Sequence, residues 1–581
     1  MRQYQAAPPA ALLAPAASKE AWAAAAEAGA DAVYVGLKAF SSQADNFTLA
    51  ELAGLLEESR RAGVGIHLAF NALIKETELG AAWKYLAAAA DLGPEALIIQ
   101  DWGLGRLAAR HFPGLSLHAS AQAGVHSLPG LVTLKEAGFT RAVLPRELAP
   151  DEVAALSAHS PIGLETFLRG PLCFSAPGLC LMSSFLSGQS ASRGVCTRPC
   201  RLSYRLGRRS AAVFFRAGRH LAPHLRELRR LPLAGFRIEG IKEPDCLGRV
   251  VRACRLLLDA PDNDWPRALA EAEDLLAHAS GPPAPGGRPE RGFTDSPPPG
   301  AVQKAPWSLP PERGSPGRRE MRPGPARPER GYWLWLELAE DIREAAPFGA
   351  ARLILPLAEA NIRHVRRHRR HFKEEAARLV WSLPPLLYHR RQAWLGGEVK
   401  ALLAAGFRTY LASNIGHLNI LKRAGPGVEI WADHRLGILN HQAEAALAGL
   451  GFRGVTLSLE MDEETAEALW TRPPAAGRLI YLYGRPALFT SRLPLDIRET
   501  LVSPRGEKFR LGREGEGTIV TPDRPVFLAP LLKKPPLPGG AGFILDLRRE
   551  PHLSEKLRAL KKILASSPGR SSSFNLKRTL F

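Results

Sequence analysis

The sequence predicts an α/β protein built as two tandem TIM-like (βα) barrels joined by a Pro/Gly/Arg-rich linker, and three observations predict it. Eight short β-rich runs alternate with helical patterns across the first part of the chain, in the about 250 residues such a barrel occupies. From about Ser280 to Arg330 the composition changes to Pro, Gly and Arg, which cannot pack a core and reads as an extended linker. Beyond it the first pattern returns at a constant offset of 313 residues.

The runs can be justified in order. LLAP at 12–15 precedes Ser18, a helix N-cap, and a helix that stops at Gly29. DAVYVG at 31–36 leads to a helix over 49–62 and then to GIHLAF at 65–70. ALIIQ (96–100), LSLHA (115–119), RAVLP (141–145), IGLETFL (162–168) and FRIEG (236–240) complete the eight. A doubly wound open sheet competes with this reading, but its Gly-rich phosphate turn is absent.

The repeat pairs Gly93 with Gly406, Gly103 with Gly416, Gly114 with Gly427, Gly124 with Gly437, Gly138 with Gly451 and Glu147 with Glu460. GFILDLRRE at 542–550 sits where GFRIEGIKE sat at 235–243. The expected organisation is a first barrel over 9–295, a linker over 296–331 and a degenerate second barrel over 332–581. Where the first copy reads FLRGPLC the second reads YLYGRPA, so Ala487 stands in the place of Cys173, and the second copy holds no cysteine. It is expected to be structural or substrate-binding.

Four of the six cysteines, Cys173, Cys180, Cys196 and Cys200, lie in one segment with the spacing C-x6-C-x15-C-x3-C. The strand count places this segment after the seventh strand, at the end of the barrel where active sites are built. Four thiolates there can close on a 4Fe–4S cluster or on zinc. The lack of tight C-x2-C knuckles favours the cluster. Four unrelated core cysteines are the plain alternative. Cys246 and Cys254 read as core or helix residues, with Cys246 a spare ligand. Glu165 near the end of strand seven and Glu239 near the end of strand eight are candidate proton carriers or, equally, inward carboxylates paired with arginine. Glu147, repeated as Glu460 in the cysteine-free copy, reads as structural. Arg193 and Arg201 flank the last cysteines, where they could hold a carboxylate or phosphate bidentately or cap carbonyls.

The net charge is +20. It reads as a solvated basic surface or as the footprint of a polyanion such as RNA, with RHVRRHRRHFK from Arg363 to Lys373 the densest run. No run of about 18 apolar residues marks a membrane span. The opening MRQYQAAPPAALLAPAASKEAW lacks the pattern of a signal peptide, so a cytoplasmic setting is expected, where clustered cysteines read as metal-binding or catalytic.

The stretch LETFLRGPLCFSAPGLCLMSSFLSGQSASRGVCTRPCR resembles the signature of the peptidase U32 family, through Glu165, Phe167, Gly170, Cys173, Gly178, Cys180, Ser183, Arg193, Gly194, Cys196, Cys200 and Arg201. LLAPAASKEAWAAAAEAGADAVYVG, VLPRELAPDEV, FRIEGIKEP and PERGFT extend the likeness, and SFNLKR near the end resembles the repeat of longer members. The resemblance implies a 4Fe–4S cluster on the signature cysteines. It also implies either oxygen-independent hydroxylation, of ribosomal or transfer RNA pyrimidines with prephenate as co-substrate or of a quinone ring, or collagenase-like proteolysis. Arg169 replaces the family's usual His, Ser192 its Asn, Gln43 an Arg and Ile241 another Arg. Those departures leave the cluster expectation intact and single out Arg169 as a changed substrate contact. A zinc HExxH and a GxSxG elbow are both absent. The expected order of functions is therefore an iron–sulfur RNA hydroxylase, then a peptidase, then a non-catalytic scaffold.

Overall fold

Polar caps set where the first helices begin. Ser18 Oγ accepts from the Ala21 amide at 3.2 Å and opens the helix Lys19–Glu27. Thr48 and Glu51 form a reciprocal capping box that opens Leu49–Ala62, the span read from the sequence. The computed structural model describes residues 10–41, 46–216, 219–220, 224–277, 331–528, 541–550 and 552–565. Within it, the first seven runs become strands β1 (Ala11–Pro15), β2 (Ala32–Gly36), β3 (Gly65–Phe70), β4 (Ala96–Ile99), β5 (Ser116–Ala119), β6 (Arg141–Val143) and β7 (Gly163–Gly170). Three short strands, β8 (Tyr204–Leu206), β9 (Arg209–Ala211) and β10 (Arg219–His220), precede the eighth barrel strand, β11 (Gly235–Ile238). Parallel pairing of β7 with both β6 and β11, and of β11 with β1, closes the barrel.

The second half repeats the plan with β12 (Gly331–Trp335), β13 (Arg352–Pro356), β14 (Leu379–Ser382), β15 (Thr409–Ala412), β16 (Glu429–Ala432), β17 (Gly454–Thr456) and β18 (Gly477–Gly484). After β18 come β19 (Phe489–Ser491), β20 (Leu501–Val502), β21 (Lys508–Glu514), β22 (Gly517–Pro522) and β23 (Val526–Phe527), and β24 (Gly542–Asp546) closes the second barrel. The two copies share register: Gly235 faces Glu165 across β11 and β7, and Gly542 faces Leu479 across β24 and β18. Gly331, assigned to the linker by composition, opens β12. The rest of the linker, Gln43, PERGFT and SFNLKR lie outside the described residues.

Both barrels carry their insertion after the seventh strand, and the insertions merge. A six-stranded antiparallel sheet runs β19-β22-β21-β20-β8-β9, four strands from the second half and two from the first. The helices also meet as a pseudo-twofold pair. Trp102–His111 packs on His441–Leu450, and Leu128–Glu136 packs on Gly416–Ala424. A side chain on Gly103 would meet the Ala443 amide at 2.6 Å, and one on Gly416 would meet the Gly130 amide at 3.0 Å. Residues 103 and 416, and likewise 130 and 443, are related by the same 313-residue offset. These repeated residues therefore mark a self-complementary interface between the barrels.

Candidate metal centre

The cysteine segment leaves β7 at Gly170 and is clamped from both barrels. The Ala176 and Leu181 amides donate to the Thr490 and Leu488 carbonyls of the second barrel at 2.7 and 2.8 Å. Ser184 Oγ bonds Glu460, so the mate of Glu147 serves the cysteine segment of the other barrel. On the first-barrel side, the buried Arg193 donates to Glu78 through both Nη atoms at 2.8 and 2.6 Å and to the Leu73 carbonyl at 2.7 Å.

Held this way, the four signature thiols come together at the mouth of the first barrel, where each acts electrostatically on the others. None of the six cysteines is in a disulfide. Backbone amides point at three of the sulfurs: Arg198 to Cys196 at 3.4 Å, Met182 to Cys180 and Phe174 to Cys200. Ser183 Oγ lies 3.9 Å from Cys196 Sγ. Burial pushes the Cys200 thiol up to about 11, and burial followed by the nearness of Cys196 raises Cys180 well above the ordinary thiol range. Among the described residues, the one trio of ligand-type atoms within 4.8 Å of one another is His67, His118 and Glu165, so no three of the signature sulfurs are that close. A tetrahedral zinc, with Zn–S bonds of ~2.3 Å, draws its sulfurs to about 3.8 Å.

Beside Cys173 lies a cavity of about 290 Å³, walled by Arg146, Glu147, Cys173, Ser491, Arg492 and Leu493 among others. Arg146 grips Glu239 bidentately at 2.6 and 2.5 Å and lies over the Phe167 ring. Loss of solvent raises the Cys173 thiol, and the Arg146 charge opposes that rise. Arg492 comes from the second barrel. It donates to Glu152 at 2.7 and 3.2 Å and to the Glu147 carbonyl at 2.9 Å. Glu147 itself accepts from His126 at 2.6 Å. The cavity thus has walls from both barrels.

Several expected site residues stand elsewhere or are already engaged. Glu165 is the third residue of β7, deep in the barrel rather than near the strand end. Pairing continues to Gly170, two residues beyond the apolar run, and lowers Glu165 in the barrel. Its carboxylate accepts from Arg237 at 2.9 Å and Arg141 at 3.1 Å, with His118 Nδ1 at 3.4 Å. Burial raises this acid, but the His118 contact and the Arg237 charge outweigh it and hold it well below the usual range. Arg193, a candidate substrate contact, binds the chain's own Glu78 and a carbonyl, because a buried guanidinium needs internal partners. Arg169 lies near the buried Cys254, where its charge opposes the rise that burial imposes on that thiol, and Arg201 is exposed next to Cys200. Glu239 is at the mouth, bound to Arg146. Arg146 and Arg492 carry no signal in the sequence that marks them as site residues. The first is adjacent to Glu147 in LPRELAP; the second sits in an insertion with no repeat mate to flag it.

The model for Peptidase family U32 matches residues 17–283, the barrel that carries the thiols. The barrel that carries the thiols thus resembles peptidase family U32 over most of its length. Curated relatives of the U32 barrel include the 23S rRNA 5-hydroxycytidine C2501 synthase of Escherichia coli, 36% identical over 180 residues, which cover 31% of this chain and 27% of that protein. The tRNA hydroxylation protein P of Haemophilus influenzae is 34% identical over 198 residues, covering 34% of this chain and 43% of it. A collagenase of Porphyromonas gingivalis is 29% identical over 208 residues, covering 33% and 49%. The chain thus spans about a quarter to a half of the length of these relatives. Among the described residues, no helix is long and apolar enough to cross a membrane.

Proposed function

We propose that this U32 protein is a cytoplasmic iron–sulfur enzyme that supports oxygen-independent hydroxylation of an RNA base, a pyrimidine of ribosomal or transfer RNA. One observation carries the reading: four thiols converge at the mouth of a U32 barrel, with amides directed at three of the sulfurs and no trio tight enough for zinc. That donor set fits a 4Fe–4S cluster on Cys173, Cys180, Cys196 and Cys200, where N–H···S bonds are a known lever on potential. Such a cluster supplies one-electron chemistry when bound. The names of the rRNA and tRNA relatives point to the substrate class.

Replacing a C–H by C–OH removes two electrons from the base and requires an oxygen atom from a donor other than O2. A small organic co-substrate, reduced by those two electrons, would lie in the cavity beside Cys173. Arg146, fixed by Glu239, and Arg492, fixed by Glu152, would orient it. Peptide hydrolysis is the second reading, favoured by the names of the collagenase relative and of an uncharacterized protease of Methanocaldococcus jannaschii. A thiolate that holds iron is not free to attack an amide.

The test joins two measurements. Anaerobically purified protein should contain iron and acid-labile sulfide, and deletion of the gene should remove one hydroxylated nucleoside from rRNA or tRNA digests. An unchanged nucleoside profile, together with collagen cleavage that survives Cys196→Ala, would replace this reading with the peptidase one.

A further inference from the structure

The segment that carries the thiols is also the most one-sidedly charged part of the chain. From Thr166 to Arg226 it contains ten arginines and no aspartate or glutamate. Arg198, Arg201, Arg205, Arg208 and Arg209 are exposed, and among the described residues none of them is paired with a carboxylate. The fold gathers these charges at one place. β8 follows Cys200 by a few residues and lies beside β20 of the second barrel, so this part of the segment becomes the edge of the composite sheet.

The two faces of that sheet differ. Tyr204, Leu501 and Phe509 are buried on one side, where Tyr204 and Phe214 pack with Phe174 and Phe489 beneath the thiols. Arg205 and Lys508 both face Val502, one from each neighbouring strand, so they share the other side about 10 Å apart, twice the strand spacing. Lys508 and Arg510 are exposed there, while Phe509 between them is not. At the margin stands Phe215, 49% exposed; it and Leu338 are the exposed large apolar side chains among the described residues. A single exposed apolar residue needs no explanation by itself. This one is different because its neighbour Phe214 is locked under the cysteine segment and its own amide bonds the Ala212 carbonyl just past β9, which fixes an aromatic ring at the surface.

We propose that the exposed side of this sheet, with Phe215 at its margin, is where single-stranded RNA docks: its phosphates lie along Arg205, Lys508 and, at the β8–β9 turn, Arg208, and one base stacks on Phe215. The proposal rests on the RNA reading above and adds the surface. Cationic side chains track a backbone and an aromatic face accepts any base, the two ingredients of single-strand binding. An anionic membrane would call for a broader apolar face than one ring. In the basic run Arg363–Lys373 the one phenyl ring, Phe372, is buried and the exposed rings are the imidazoles of His368 and His371, so this run serves as the control rather than the expected phosphate contact.

The experiment is fluorescence anisotropy of a short, labelled, mixed-sequence single-stranded RNA with the full chain at stepped KCl. Arg205→Ala/Arg208→Ala/Lys508→Ala should weaken binding by about tenfold or more and flatten the log–log salt slope by about two, at roughly 0.7 per lost phosphate contact. Phe215→Ala should weaken binding about fivefold or more with the slope unchanged, and Phe215→Trp should restore it. Arg363→Ala/Arg367→Ala/Arg370→Ala should leave both quantities near wild type. RNA affinity and salt slope unmoved by the sheet variants would overturn the proposal. So would polyglutamate, or phosphatidylserine vesicles, binding wild type more tightly than RNA and losing that binding in the same variants. Because the readout is binding, a failed docking surface leaves the hydroxylation reading standing, and an unchanged nucleoside profile leaves this surface standing.

Discussion

The two barrels share a frame and differ in what fills it. In the first, His67 and His118 meet edge to face at 4.8 Å above the buried Glu165, which Arg237 and Arg141 neutralise. At the matching registers the second carries Leu479 and Ile544 for Glu165 and Arg237, and Trp431 for His118. Trp333 and Trp431 meet at 4.9 Å across its interior. The mouths differ too. Glu239 and Arg146 stand beside the cavity and the thiols, whereas Asp546, the mate of Glu239, is locked with Arg548 in a buried network that includes Glu514 and Arg435. The second copy has kept the turns and interface glycines and replaced its polar interior with packed rings. Its insertion now serves the other barrel, because Leu488 and Thr490 hold the cysteine segment there and Arg492 walls the cavity. Duplicated scaffolds can thus diverge so that one copy keeps the chemistry and the other completes its site.

The largest effect that would sharpen this contrast is on metal content. Cys196→Ala should abolish the broad visible absorbance and the bound iron, while Cys254→Ala keeps them, and Ala487→Cys in the second barrel should add none. Next comes the interior. Glu165→Leu installs the residue of the second barrel and leaves buried arginines uncompensated, so urea denaturation should show a loss of about 3–5 kcal/mol. Glu165→Leu/Arg237→Ile, the full pair from the second barrel, should recover part of it; no recovery would break the equivalence of the two interiors. At the interface, Gly103→Ala and Gly416→Ala should each cost about 1–3 kcal/mol by overpacking, in similar amounts because the contact is pseudo-symmetric. Gly114→Ala, which meets nothing within 4 Å, should cost far less.

A further contrast lies in pH dependence. Burial lowers His118 to about 4 in the folded barrel, below the ~6.5 of an unfolded histidine. The unfolded chain therefore binds the proton first. The stability linked to this group is complete above pH ~6.5 and falls as pH drops toward 4, by at most about 1.4 kcal/mol per pH unit. Glu165, whose folded value is also lowered, adds a second loss below the ordinary carboxylate range. Denaturation midpoints between pH 7 and 4 should flatten in His118→Asn; an unchanged profile would remove His118 from the account.

Local signals made much of this molecule legible. Ser18, Thr48 and Glu51 cap helices through neighbours three residues away, and each β-rich run carries its own strand tendency. Spacing alone marked the four thiols, and turn glycines at one offset marked the duplication. Other features depend on partners far away in the chain. Arg193 meets Glu78 at a separation of 115 residues, and Arg492 meets Glu152 at 340. Nothing near either arginine tells such a contact from a phosphate site. Strands β8, β9, β19 and β20, of two or three residues, are too short to show a period, and β8 pairs with β20 across nearly 300 residues of chain. The position of Glu165 along its strand was not legible either, because hydrogen-bonded pairing with β11 and β10, not the apolar run, sets where β7 ends. Short-range preferences are written in a few consecutive side chains, whereas the partner of a buried charge or an edge strand exists only after both barrels have folded against each other.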